Sequence, residues 1–172
     1  MTSQIDNQQI KAENWFRELR NQMVGSIQKV EGSTFEEKEW QRPGGGGGRM
    51  SILKGEIFEK VGVNISTVHG EFSEEFRGSM PGTEKDPSFW ASGISVVAHM
   101  KNPKIPALHF NTRFIITSKE WFGGGMDATP SYSDNKEKKL IHDGLKKVCL
   151  QNKKNYKKYK KWCDEYFFLP HR

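Results

Sequence analysis

The sequence predicts an α+β domain: a large, mainly antiparallel β-sheet flanked by α-helices. Three observations carry that prediction. Apolar residues recur at three- and four-residue steps over residues 5–30 and again after Asp134, the period of a helix with one buried face. Segments between these two regions carry apolar residues at period two, the mark of a half-buried strand. Those strand-like segments follow one another with no helical stretch between them, which argues against the βα alternation of a parallel sheet.

In chain order, Phe16, Leu19, Met23, Ile27 and Val30 form the stripe of the first helix, with Trp15 beside it and Gly32 as its stop. A second, short helical piece is expected over Phe35–Trp40 before Pro43 breaks the chain. Gly44–Gly48 is a run of five glycines. Its bland reading is a flexible linker, but it lies between Trp40 and a strand-like segment rather than between two domains. It ends in Arg49-Met50, not in the Gly-Lys-Ser/Thr of a phosphate loop, so close approach of its backbone to a ligand or another strand stays open. Strands are expected at 56–68, where Val61, Val63 and Ile65 alternate, and at 93–100 and 107–117, joined through Pro103 and Pro106. Trp121 to Pro130 reads as a glycine-rich turn. Asp134 with Glu137 three residues on is a capping-box arrangement that opens a long helix. Leu140, Leu145, Val148, Tyr156, Tyr159, Trp162 and Tyr166 are its expected buried stripe, and Gly144 and residues 151–154 are places where it could break.

The chain has 172 residues, enough for one domain with a single core. Aromatic residues make up 12%, which argues against disorder. The net charge of +6 is uneven: 11 Lys/Arg stand against 14 Asp/Glu in residues 1–100, and 16 against 7 thereafter. A basic second half implies an anionic partner: nucleic acid, an acidic membrane surface or a polycarboxylate ligand. Cys149 and Cys163 are spaced for neither a zinc knuckle nor a redox pair, so reduced thiols are the simpler reading. With Asp6 and Glu13 and no apolar run, the N-terminus does not read as a signal peptide. Nothing has the length of a membrane span, and a soluble, cytoplasmic protein is expected.

The most informative chemistry lies in residues 93–117. On the first strand Ile94, Val96, Ala98 and Met100 point one way, and Ser95 and His99 the other with Val97 between them. On the second, Phe110, Thr112 and Phe114 share one face, and His109, Asn111 and Arg113 the opposite one. If His99 faces His109, Ser95 faces Arg113. A solvated sheet face would look similar in outline. Here, however, the polar residues combine a proton-transfer group, a two-way hydrogen bonder and a carboxylate fork, which points to carboxylate recognition by Arg113.

Other chemistries fit less well. No histidine pair has the i, i+4 spacing of a helical zinc site. A Ser95–His109–Asp127 hydrolase would lack the nucleophile elbow around its serine. Residues 136–161 hold eleven lysines with Tyr156, Tyr159 and Trp162 on the same stretch, a composition suited to phosphate contacts and base stacking. The competing reading is a helix whose aromatics face the core while its lysines are solvated, and the spacing favours it.

Several segments in order resemble the oxygen-dependent coproporphyrinogen III oxidases. Trp40-Gln41-Arg42-Pro43, the glycine run and Arg49-Met50 are similar to that family's W-x-R-x-G-G-G-G-x-x-M stretch. Glu59 to Ser66 resembles its E-K-x-G-V-N-x-S segment, and the 95–113 region its S-x-x-x-H…P-x-x-H-x-N-x-R pattern. Trp121 to Pro130 resembles W-F-G-G-G-x-D-L-T-P, with Ala128 in place of the usual Leu, and Lys160 to Phe168 resembles K-K-W-C-D-E-Y-F-F.

The resemblance implies a flat antiparallel sheet flanked by helices, a homodimer, and residues 1–172 as one incomplete domain, the N-terminal portion of the family's fold. It implies oxidative decarboxylation of two propionates of coproporphyrinogen III to vinyl groups, giving protoporphyrinogen IX, with molecular oxygen as co-substrate and no organic cofactor. Carried over by position, His109 is the proton donor, Asp127 faces the pyrrole N–H groups, and Ser95, Asn111, Thr112 and Arg113 bind substrate. His99, His109, His142 and His171 match positions assigned to a divalent metal in some bacterial members. The connection from Arg113 to Trp121 is shorter than in familiar members, and the family continues beyond Arg172. An inactive remnant that keeps tetrapyrrole or nucleic-acid binding is therefore the alternative reading.

Overall fold

The computed structural model describes residues 2–168 and 170. Its first element is helix α1 (Thr2–Glu31). Six strands follow: β1 (Glu36–Gln41), β2 (Gly46–Leu53), β3 (Phe58–Glu71), β4 (Ser88–Met100), β5 (Ala107–Ile116) and β6 (Glu120–Thr129). Helices α2 (Asn135–Gln151) and α3 (Tyr156–Tyr166) end the chain. The strands form a single sheet in sequence order, each antiparallel to the next. The α+β class with a mainly antiparallel sheet stands.

The core lies on one face of this sheet. Ala12, Phe16, Arg20 and Val24 of α1 are buried at four-residue steps, and Phe16 is only 1% exposed. They meet Leu53, Val61, Val63, Ile94, Val96 and Ala98, the alternate residues of β2, β3 and β4 that point the same way. Leu19, Met23 and Ile27 flank that contact, whereas Val30 and Trp15 are exposed. Gly32, at φ +79°, ends α1 as expected, because a left-handed residue there lets its N–H bond back to Gln28. Arg20 is a buried charge that ties α1 to the sheet: Nη2 donates to Ser51 Oγ at 2.6 Å and contacts the Glu37 carboxylate. Glu31 closes the helix end against the β2–β3 turn, accepting from the backbone N–H groups of Phe58, Ile57 and Glu56. Those bonds, Phe58's first, hold its carboxyl below the usual range.

Several local expectations change or resolve. Residues 36–41 form an edge strand, not a helix; their charged sequence satisfies helix propensity, but pairing with β2 decides the conformation. The last three glycines of the run are strand residues of β2. Gly46 has φ +80°, and a Cβ there would stand 2.2 Å from Thr67 O, so backbone approach between strands explains the glycine. Residues 121–129 form most of β6 and are not a turn. Finally, the helix after Asp134 is interrupted at 152–155, the second of the two places where a break was expected, and not at Gly144; Asp134 accepts from Lys136 and Glu137 N–H as the cap of the first piece. Neither helix holds a buried residue: Leu140 is 68%, Trp162 56% and Tyr166 77% exposed. The expected stripe exists but is not covered among the described residues.

Candidate functional site

The face of the sheet opposite α1 carries the candidate site. Along it, cross-strand neighbours form polar rows. Asn64 of β3 faces Ser95 of β4, which faces Asn111 of β5, which faces Gly125 of β6. One row over, Gly62, Val97, His109 and Asp127 align; on the other side stand Ser66, Gly93, Arg113 and Gly123. Directly opposed Cβ atoms lie about 5 Å apart. Ser95, His109, Asn111 and Arg113 therefore share one face, as their spacing predicts. The register is two residues away from the expected one: His109 faces Val97, and Arg113 faces Gly93. Pairing of β4 with β5 stops at Ala98 and Leu108, since Pro103 and Pro106 cannot supply ladder N–H groups to the connection. His99, at the exposed end of β4, pairs only with Lys60 of β3.

Arg113 is exposed, and its Nη2 donates to Oδ1 of the buried Asn111 at 3.3 Å. Among the described residues no carboxylate forms a salt bridge with it, so its charge is available to a ligand. Asp127 sits beside His109 on the neighbouring strand and accepts from Thr129 Oγ1 at 2.8 Å. The strand pairing of β6, where a turn was expected, creates this juxtaposition. His109 is half-buried, with the Phe167 ring edge-on to it at 5.5 Å. Thr112 points to the other face, in the row of Ile94 and Gly124, so it borders this site through its backbone.

Two cavities flank these residues. A shallow depression of about 320 Å³ is lined by Trp40, Asn64, Ser66, Ser95, Asn111 and Arg113. A larger cleft of about 980 Å³ opens between β6 and the two C-terminal helices, lined by Asp127, Met126, Leu145, Trp162 and Phe167 among others. Asn111 borders both. His109 lines neither. The floor is flat because the face carries glycines: a Cβ on Gly93 would stand 2.7 Å from Thr112 O and 2.8 Å from Arg113 Cβ. Trp40, Asn64 and Ser66 had no role assigned from sequence. The alternation around Val63 and Ile65 places Asn64 and Ser66 on this face, and that was the available signal.

Of the histidines matched to a metal, His99, His109 and His142 form no such group among the described residues. His142 lies on α2, its Nδ1 2.8 Å from the Tyr156 hydroxyl; burial first, then Lys160 and Lys138, push its pKa down. Among the described residues no group of three His, Cys, Asp or Glu is placed to hold an ion, and His171 lies outside them. No helix among the described residues is long and apolar enough to cross a membrane.

Residues 11–172 match the family model described as Coproporphyrinogen III oxidase. The chain is 52% identical over 179 residues to the "Oxygen-dependent coproporphyrinogen-III oxidase" of Rickettsia akari (strain Hartford), covering 98% of this chain and 64% of that relative. The identically named proteins of Rickettsia rickettsii (strain Sheila Smith) and Rickettsia bellii (strain OSU 85-389) are 50% and 51% identical, over 98% and 92% of this chain. The chain thus spans 61–64% of the length of these curated relatives.

Proposed function

The chain belongs to the coproporphyrinogen III oxidase family, and from that premise we propose that it carries the sheet-borne part of an oxygen-dependent coproporphyrinogen III oxidase site. The reaction converts two propionates of coproporphyrinogen III to vinyl groups, giving protoporphyrinogen IX. For each propionate the carboxylate leaves as carbon dioxide, the neighbouring carbon gives up a hydrogen, and two electrons pass to oxygen, which leaves as hydrogen peroxide. The electron-rich pyrroles can supply those electrons, so no organic cofactor is needed.

One observation carries the reading: His109, Asn111 and Arg113 stand on one open sheet face, with Ser95 and Asp127 as direct cross-strand neighbours. The Arg113 fork binds a propionate carboxylate, steadied by Asn111 and assisted by the Ser95 hydroxyl and the Thr112 backbone. A porphyrinogen presents pyrrole N–H donors at its centre. Asp127 accepts from them and stabilises positive charge that develops as electrons leave. His109, beside it, is the proton donor.

We place the complete protein in the cytoplasm as a homodimer. Both cysteines are free thiols, which suits a reducing compartment, and the uncovered apolar stripe of α2 and α3 suits further association. A second reading, an inactive remnant that keeps tetrapyrrole or nucleic-acid binding, draws on one observation: Lys158 lies 4.8 Å over the exposed Trp162 ring, a pairing suited to anionic aromatic ligands.

Turnover separates the two. Coproporphyrinogen III prepared without oxygen is mixed with the chain, alone and together with the remaining segment of a rickettsial relative. Oxygen is then admitted and protoporphyrin fluorescence followed. Product in either mixture, lost in His109→Asn, is expected. Absence of product in both removes the oxidase assignment.

A further inference from the structure

We propose that Asn64 is a substrate-positioning residue of this site, its carboxamide donating a hydrogen bond to a propionate carboxylate beside the one held by Arg113. The assignment rests on the tetrapyrrole reading above and extends it to a residue on β3.

Asn64 lies on the central strand β3 with its side chain on the face opposite α1, directly across from Ser95 and two strands from Asn111. It lines the same depression as Ser95, Asn111 and Arg113. Its Oδ1 is fully buried and has no hydrogen-bond partner among the described residues. Native proteins hold few such groups, because an unfilled buried acceptor is destabilising. Packing does not explain the residue, since asparagine is disfavoured in strands and a β-branched residue would serve the sheet better. The Nδ2 atom lies 3.5 Å from where a Cβ on Gly62 would stand, so the amide reaches over Gly62 toward the row of Val97, His109 and Asp127. A carboxamide there offers N–H donors to a carboxylate. Oδ1 can only accept, so the carboxylate bonds to the N–H groups alone. Asn64 in the Ser95–Asn111 row and Arg113 in the neighbouring row then supply donors at two points of the face, which lets a macrocycle be held by more than one acid arm.

The test compares two ligands on the full chain by fluorescence titration: coproporphyrin III, which has four carboxylates, and its neutral tetraamide. Asn64→Asp replaces the donor by a like charge, and Asn64→Ala removes it. The expected result is a loss in affinity for the tetra-acid of about tenfold or more for Asn64→Asp and about threefold for Asn64→Ala. Tetraamide affinity should stay within about twofold of wild type, so the preference for the acid falls in both variants. A purely structural role would weaken both ligands equally and leave that preference unchanged, which overturns the assignment. Tetra-acid binding unchanged in both variants overturns it as well. Should Asn64→Asp fail to fold by circular dichroism, the preference measured in Asn64→Ala decides. Wild-type chain that binds neither ligand removes the tetrapyrrole reading itself, and this assignment with it.

Discussion

Replacing Gly48 by alanine should destabilise the protein severely, although it adds one methyl group at the edge of an open face. An ideal Cβ at Gly48 would stand 2.3 Å from Ile65 O and 2.8 Å from Trp40 Cζ2. Ordinary contact begins at 3.4 Å, so the shortfall against the carbonyl is 3.4 − 2.3 = 1.1 Å. Ile65 O belongs to a backbone held in the β2–β3 ladder and cannot withdraw without opening strand pairing, and the Trp40 ring closes the other side. Overpacking of this kind costs about 1–3 kcal/mol, and loss of one or two ladder bonds adds about 1 kcal/mol each. The expected total is about 3 kcal/mol. With a slope of about 2 kcal/mol per molar urea, the midpoint moves down by about 1.5 M. Urea titrations followed by tryptophan fluorescence and far-UV circular dichroism measure it, and the two probes should coincide. Gly144→Ala is the control. Nothing lies within 4 Å of a Cβ at Gly144, in the interior of α2, so this change should stabilise by up to about 1 kcal/mol. A Gly48→Ala cost below about 0.5 kcal/mol, or equal effects at the two glycines, would refute the close-approach explanation of the glycine run.

Arg113→Ala should weaken coproporphyrin III binding by about tenfold or more, whereas Lys153→Ala and Lys154→Ala change it by about twofold or less; equal losses would mean diffuse attraction to the basic half. Phe16→Ala should cost about 3–5 kcal/mol in urea, because Phe16 is 1% exposed, and Trp162→Ala about 1 kcal/mol or less, because Trp162 is 56% exposed and gives up a cation–π contact with Lys158 and an edge-on contact with Tyr159. Glu31 binds fewer protons folded than unfolded because its carboxyl is held below the usual range, so its contribution to stability is present above the usual carboxylate pKa and disappears as pH falls through the lowered value. Glu31→Gln should therefore lower the thermal midpoint at neutral pH and flatten its acid-side decline; an unchanged acid limb would contradict the Phe58, Ile57 and Glu56 N–H bonds as its source.

Where one face of an element is buried, its sequence was readable. The spacing of Phe16, Leu19, Met23 and Ile27 located α1, and alternation in β4 and β5 assigned Ser95, His109, Asn111 and Arg113 to one face. Register was not readable, because a shift of two residues keeps every side chain on the same face and costs the pattern nothing. Only the point at which pairing stops, set by the prolines of the β4–β5 connection, distinguishes His109 facing Val97 from His109 facing His99. β1 was misread because Glu36 to Glu39 are exposed and carry no alternation, so nothing opposed their helix propensity. β6 was misread because Gly123, Gly124 and Gly125 look like a turn, yet ten residues pair continuously with β5. That error hid the Asp127–His109 neighbourhood. In α2 and α3 the helical period was right, but period alone does not say what covers a stripe, and here most of it is exposed.

Coproporphyrin III titrated into the isotopically labelled 172-residue chain, with backbone amide shifts followed by NMR, tests most directly whether the sheet face opposite α1 is the tetrapyrrole site. Saturable shifts centred on Asn64, Ser95, His109, Asn111, Arg113 and Asp127, and lost in Arg113→Ala, are the expected result. Shifts confined to the lysine-rich stretch from Lys136 to Lys161, or insensitive to Arg113→Ala, would contradict it.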